Sequence, residues 1–313
     1  MKKCLVTGGA GFIGSHIAAE LVSRDCEVTV LDNLSTGKLE NMESFKDEVD
    51  FVQGSITDLD LLNECFQGID TIFHQAALAS VPRSVDDPVT SNDHNVNGTL
   101  NVLVAARDAG VGRVVYAASS SAYGDSDVLP KVETMPSKPM SPYAVNKYVG
   151  ELYLKVFNDI YGLSAIGLRY FNVFGERQDP QSQYAAVLPL FITQLLAGDT
   201  PTINGDGSFS RDFTYVGNVV HANILAAQID NPDGAIVNIA CGDRISLSQL
   251  YESISSLLSV DKEPNYAETR IGDVPHSQAD ISMAKQLLGY EPVTSFQIGL
   301  EKTVNWYKAD SNN

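Results

Sequence analysis

The chain has 313 residues, 44% of them hydrophobic and 19% charged, an ordinary soluble composition with room for one large or two modest domains. Its formal net charge of −18 argues against a nucleic-acid partner, because phosphate-binding faces need clustered Lys and Arg. Cys4, Cys26, Cys65 and Cys241 form no C-x-x-C pair, no metal site is expected, and no apolar run approaches the roughly 18 residues of a spanning helix.

In chain order, apolar runs at Leu5–Thr7 and Val28–Leu31 bracket a helical stretch, Ile13–Val22, in which Ile13, Ile17 and Leu21 recur at spacing four. The first strand begins at once, so no signal peptide is expected, and Cys4 and Cys241 read as small core residues of a cytoplasmic protein. Further strands are predicted at Phe51–Gln53, Thr71–His74, Val114–Ala118 and Ala165–Tyr170, with helices between them. Apolar strands without alternation suit a parallel sheet covered on both faces. The fold class that follows is α/β, a doubly wound parallel sheet.

After Tyr170 the segments shorten and the loops carry Gly and Pro, as in Asn204-Gly205-Asp206-Gly207. Helices are predicted at about Leu188–Ala197 and Ser246–Leu258. A second, smaller α/β lobe facing the substrate is expected here. Phe213–Val216 and Ile236–Ala240 are expected to return to the main sheet. The two domains would then be 1–170 plus about 213–241, and about 171–212 plus 242–313.

Gly8, Gly11 and Gly14 stand between the first strand and the first helix, where backbone N–H groups can cradle a pyrophosphate. Asp32 ends the second strand, where a carboxylate accepts hydrogen bonds from an adenosine ribose. It can equally be a turn residue before Asn33. No Arg follows in Asn33-Leu34-Ser35-Thr36-Gly37-Lys38, so a 2′-phosphate would meet Asp32 with only Lys38 to offset it. NAD is favoured over NADP. Asp58 reads as a helix cap, an adenine contact or both. His74 reads as a packed strand-end histidine.

Tyr143 and Lys147 lie four residues apart on one helical face, after Ser141-Pro142 starts the helix. Bringing a phenol from roughly 10 to near 7 takes about 4 kcal/mol, which one cation roughly 4 Å away supplies at an effective dielectric near 20. Lys147 is expected to be that cation. Ser119, Ser120 and Ser121 close the fifth strand, where side chains meet a ligand crevice and a hydroxyl can relay a proton to Tyr143.

The strings Thr7-Gly8-Gly9-Ala10-Gly11-Phe12-Ile13-Gly14, Ser119-Ser120-Ser121-Ala122-Tyr123-Gly124, Tyr143-x-x-x-Lys147 and Arg169-Tyr170-Phe171-Asn172-Val173-Phe174-Gly175 resemble the extended short-chain dehydrogenase/reductase family. Within it they look like the UDP-hexose 4-epimerases. The resemblance implies a Rossmann-type domain with tightly held NAD, and a Tyr143 that takes the proton from the sugar 4-hydroxyl. The 4-keto sugar then swings about its diphosphate and is reduced on its other face. Ser119 matches the catalytic hydroxyl, and Ser120 and Ser121 would face the sugar. The implied cofactor contacts extend to Phe12, Ile13, Asn33, Ser35, Gly37, Ile56, Gln75, Ala76, Ala77, Asn95 and Tyr170. Asn172 matches a diphosphate contact, Ala185, Ala186, Val187 and Arg211 the uridine and phosphate segment, and Arg270 a second diphosphate-binding arginine. Two fixed arginines can outweigh a diffuse acidic surface, which salt screens beyond roughly 10 Å.

Ser277, seven residues after Arg270, stands where family members confined to UDP-glucose and UDP-galactose look to carry a bulky tyrosine. A serine leaves volume for a 2-acetamido group. The resemblance is closest to UDP-N-acetylglucosamine 4-epimerases, so UDP-GlcNAc/UDP-GalNAc interconversion is expected, with the unacetylated pair also open. Ser120 and Ser121 lack the acid pair that a 4,6-dehydratase needs. UDP-glucuronate 4-epimerisation or decarboxylation remains an alternative, as does a non-catalytic NAD-sensing protein. Helices at Asn92–Ala109 and Tyr143–Tyr161 are where the family dimerises through a four-helix bundle, so a homodimer is expected.

Overall fold

The computed structural model describes residues 1–180, 186–269 and 274–310. Seven parallel strands form the central sheet, in the order Ile236–Ile239, Ala165–Tyr170, Arg113–Ser119, Thr71–His74, Lys3–Thr7, Glu27–Asp32, Val49–Gln53. The winding reverses between Lys3–Thr7 and Thr71–His74, which leaves a crevice at the carboxyl ends of those two strands. The six strands predicted in the first half are all present.

Side chains alternate across the sheet and feed two cores. Cys4, Val6, Val30, Phe73, Val115 and Ile166 face helices Phe12–Ser23 and Val216–Gln228. Leu5, Leu31, Ile72, Val114 and Tyr116 face helices Leu59–Cys65, Gly98–Asp108 and Pro142–Tyr161. Because both faces are covered, the strands read as unbroken apolar runs.

A third core joins Phe174, Leu188, Phe191, Ile192, Ile203 and Phe213 to Leu250, Ile254, Phe296 and Leu300. It lies outside the sheet, among helices Val187–Leu196, Leu247–Leu258 and Phe296–Asp310 and three short two-stranded ladders. Ile236–Ile239 joins the main sheet beside Ala165–Tyr170, as expected. Phe213–Val216 does not. Thr214–Tyr215 pairs with Val173–Phe174 instead, and Val216 opens a helix that lies on the sheet. Two residues of pairing are too few for a periodicity argument to assign to a particular sheet.

The single helix predicted at Asn92–Ala109 is interrupted. Pro88–Asn92 and Gly98–Asp108 are α-helical, and Asp93–Asn97 is a π turn. Such turns concentrate at functional sites. This one presents Asn95, whose side chain accepts from Leu78 N at 2.8 Å and donates to Leu78 O at 3.2 Å, fixing the loop beyond Thr71–His74.

Candidate active site

At the sheet's reversal point lies a cavity of about 710 Å³, within the range of small-ligand sites. Gly8, Gly11, Phe12, Ile13 and Gly14 line one part, and Asp32, Asn33, Ser35 and Ile56 another. Gln75, Ala76, Ala77, Tyr143, Lys147 and Tyr170 continue the wall. Gly37, Asp58 and Asn95 do not border it. Asp58 caps helix Leu59–Cys65, accepting from Leu61 N at 3.0 Å. Gly37 packs under Asp32, where a Cβ would lie 2.9 Å from both carboxylate oxygens.

The turn admits only glycine at two points. Gly8 has φ +69°, and a Cβ there would lie 2.7 Å from Ala76 N. A Cβ on Gly14 would lie 2.1 Å from Gly8 O. The helix therefore starts tight against the strand end, with Gly11 as an N-cap that offers no side chain. Its first-turn N–H groups and the helix dipole suit a pyrophosphate. Asp32 is buried and accepts from Ala10 N at 3.0 Å and Leu34 N at 2.8 Å. Its carboxylate thus holds the turn as well as facing the cavity, where an adenosine ribose would meet its remaining lone pairs. These residues fit an NAD.

Helix Pro142–Tyr161 places the second group. Ser141 caps it, accepting from Ala144 N at 3.2 Å, and Gly162 ends it in the left-handed region at φ 68°. Burial raises the Tyr143 phenol above its ordinary value, and a hydrogen bond with the Ser119 hydroxyl draws it back. Ser119 Oγ lies 2.8 Å from Ser121 Oγ.

Lys147 is anchored to the sheet in this structure. Its Nζ donates to Ala117 O at 2.8 Å and lies 4.9 Å from the centroid of the Tyr116 ring. The ammonium is satisfied by the strand beneath it, and Ser119 is the neighbour that lowers the phenol. Burial pulls Lys147 down to about 7, while the Glu151 carboxylate one turn on opposes that shift. Glu151 is itself held by Arg169 through bonds of 2.8 and 2.6 Å. Desolvation is thus the larger influence on the lysine.

His74 is fully packed. Thr7 Oγ1 lies 2.8 Å from Nδ1, and Thr99 Oγ1, which donates to Asn95 O, lies 3.0 Å from Nε2. These partners assign the proton to Nε2. Burial and the charge of Lys147 push this histidine down to about 3, so it is neutral and structural. Tyr170 joins Gln75 and Asn223 in a buried network, with Asn223 Nδ2 donating to Tyr170 Oη at 2.8 Å.

Three of the sugar-side candidates converge from distant segments. Asn172 Nδ2 donates to Ser277 Oγ at 2.9 Å and to Asp212 O at 3.3 Å. Ser277 N donates to Ser210 O at 3.0 Å, and Arg211 Nη1 donates to Pro275 O at 3.0 Å. Asp212 ties this region to the sheet, accepting from Cys241 N, Gly242 N and Ala279 N. Ala186 and Val187 begin helix Val187–Leu196. Ala185 and Arg270 lie outside the described residues.

Other residues on the cavity had no sequence signal. Arg83, Asp86, Asp87 and His94 line it from the segment after Ser80, and Arg177 and Asp179 from the segment after Gly175. Lys38 borders it too and pairs with Asp179 at 3.3 Å. Contacts that span more than a hundred residues leave no local pattern.

A family model described as "NAD dependent epimerase/dehydratase family" matches residues 4–240. The chain is 41% identical to a putative UDP-glucose 4-epimerase of Methanocaldococcus jannaschii, over 97% of this chain and 98% of that one. It is 34% identical to a UDP-N-acetyl-alpha-D-glucosaminuronate decarboxylase of Bacillus cytotoxicus, over 99% of each chain. Among solved structures, UDP-N-acetylglucosamine 4-epimerase from Methanobrevibacter ruminantium, in complex with UDP-N-acetylmuramic acid, superposes with a TM-score of 0.95. That protein is 42% identical, and the match covers 99% of each chain.

Proposed function

The chain belongs to the NAD-dependent epimerase/dehydratase family, and we propose that within it the protein is an isomerase, a 4-epimerase interconverting UDP-GlcNAc and UDP-GalNAc. The observation that carries the reaction is that Tyr143 and Lys147, on one helix, both line the dinucleotide cavity. NAD, held by the glycine turn and Asp32, would supply a reversible hydride acceptor and a positive charge to this cavity. Tyr143 takes the proton from the sugar 4-hydroxyl and later returns it, and Ser119 holds the reacting oxygen. In its protonated form Lys147, one helical turn from the phenol, would stabilise the phenolate. C4 inverts because the 4-keto sugar turns and is reduced on its other face, and since oxidation and reduction cancel no second redox substrate is consumed.

Asn172 and Arg211, with Arg270, are the proposed diphosphate contacts, Ala186 and Val187 the uridine contacts, and Ser120 and Ser121 the sugar contacts. Ser277 carries the substrate choice. Its small side chain leaves room for an acetamido group, and its oxygen already accepts from Asn172, so its own O–H is free to donate. Residues 1–170 with 213–241 carry the cofactor in this reading, and 171–212 with 242–313 carry the UDP-sugar.

Incubating the purified protein separately with UDP-GlcNAc and UDP-glucose, and resolving C4 epimers by proton NMR, tests the reading. UDP-GalNAc from the first is the expected product. Product only from UDP-glucose, the substrate in the name of the M. jannaschii relative, keeps the mechanism and removes the Ser277 argument. No product from either, with turnover of UDP-glucuronate or its N-acetylated analogue, favours the chemistry named for the B. cytotoxicus relative.

A cytoplasmic homodimer is the proposed state. Val145, Leu152, Val156 and Ile160 are exposed along helix Pro142–Tyr161, at spacings that make one apolar stripe, with Val85 and Val89 also exposed nearby in the chain. A second copy of the chain is the occupant that would cover this stripe. Among the described residues no helix is long and apolar enough to cross a membrane.

A further inference from the structure

The segment after Gly175 is pinned to the start of helix Phe12–Ser23. His16 Nε2 lies 3.0 Å from Glu176 O, and Arg177 Nη1 donates to Ser15 Oγ at 3.3 Å. Ser15 Oγ in turn donates to Phe12 O at 3.1 Å, so the arginine is held against the helix's first turn. Its guanidinium also lies 5.8 Å from the centroid of the Phe45 ring and borders the same cavity as Gly11 and Gly14. The backbone of Arg177 is left-handed, with φ 63°, a conformation that costs a non-glycine residue free energy.

The nearest carboxylate in sequence is engaged elsewhere, since both oxygens of Glu176 accept from Tyr215 Oη at 3.0 Å. Among the described residues no ion pair within 4.0 Å involves Arg177. The other cations on the cavity are less suited. Lys38 pairs with Asp179, and Arg83 shares its stretch of wall with Asp86 and Asp87.

A pyrophosphate carries two negative charges, whereas a helix N-terminus offers about half a positive one. In a chain of net charge −18 that deficit is aggravated by the global field. A guanidinium beside the turn supplies a whole charge in a fork that matches phosphate oxygens. We propose that Arg177 is a cofactor-binding residue, the cation that completes the pyrophosphate site begun by Gly8, Gly11 and Gly14. Residues 176–177 then act as a strap that keeps the dinucleotide in place between turnovers.

The test follows exchange of labelled NAD+ out of the purified holoprotein, and competition of ADP and of adenosine for the same site. Arg177→Ala should speed NAD+ release about 10- to 100-fold and weaken ADP by a similar factor, leaving adenosine unchanged. Arg177→Lys should recover part of the loss, and the release rate of wild type should rise with salt more steeply than that of Arg177→Ala. Should the alanine variant not fold, Arg177→Gln, which can still donate to Ser15, carries the same comparison. Wild-type release from Arg177→Ala or Arg177→Gln overturns the proposal. So does an equal loss for adenosine and ADP, which would mean that the turn has collapsed rather than that a phosphate contact has gone.

Discussion

Tyr143 and Lys147 stand one helical turn apart, yet burial acts on them in opposite senses, raising the phenol and lowering the ammonium. Each shift disfavours the charged form of its group, because burial strips both of water. Tyr143→Phe removes the hydroxyl and leaves the ring. Turnover should fall about 10²- to 10⁴-fold with the NAD content of the purified protein unchanged, measured by acid release. Indifference of turnover to this change would favour a sensor over an enzyme. Lys147 titrates near 10.5 when unfolded and at about 7 in the fold. Between those values the unfolded chain binds the extra proton, so this group's penalty is full below pH 7 and shrinks as pH rises towards 10.5. Lys147→Met should therefore be inactive but more stable than wild type at pH 6, by an amount on the order of a few kcal/mol, with the gap closing by pH 10. Urea melts of NAD-stripped protein at the two pH values read this directly.

Between elements, one buried carboxylate joins the sugar side to the sheet. Asp212 accepts from Cys241 N at 2.9 Å, Gly242 N at 3.0 Å and Ala279 N at 3.1 Å. Burial outweighs these donors and pushes its carboxyl up to about 6. Asp212→Ala would leave the buried N–H of Ala279 and the half-buried ones of Cys241 and Gly242 without their acceptor, at a cost of about 1–3 kcal/mol for each that water cannot reach. The urea midpoint should drop by several kcal/mol equivalent at unchanged slope, and a change within experimental error would show that the joint is not needed. Spacing in the sequence exposed the Ser141 cap, the glycine turn and the Tyr143 helix, because each is a local device. The Asp212 joint and the Asn172–Ser277 bond were not legible, since their partners are 29 to 105 residues apart. The π turn at Asp93–Asn97 was hidden for another reason. One extra residue in a turn barely disturbs a helical period, while it redirects Asn95 towards Leu78.

For the molecule as a whole, the acidic surface and the anionic ligands are reconciled by placing cations at fixed points rather than by net charge. Arg211 lies beside Pro275 in the proposed sugar-binding region and Arg177 at the glycine turn, while the remaining charge is spread and screened. The exposed stripe on helix Pro142–Tyr161 has the opposite character. Leu152, at 50% exposure, and Ile160, at 68%, are large apolar groups each about one turn from Val156 on the same face. Leu152→Glu with Ile160→Glu should convert a dimer to a monomer in sedimentation equilibrium, with UDP-sugar binding retained. A wild-type monomer, or a double variant that remains dimeric, would remove the stripe as the interface.

Sequence alone determined the parallel sheet, the glycine turn and the helix of Tyr143 and Lys147, because each rests on interactions within a few residues or on a repeating apolar pattern. Gly8 and Gly14 could be read because no other residue fits where backbone meets backbone. Tertiary structure alone decided what Lys147 bonds, which sheet Thr214–Tyr215 joins and that Arg177 reaches the cofactor cavity. Burial sets the charge of a side chain, and burial depends on neighbours brought from the far end of the chain. A linear pattern carries the periodicity of an element but not the identity of what packs against it.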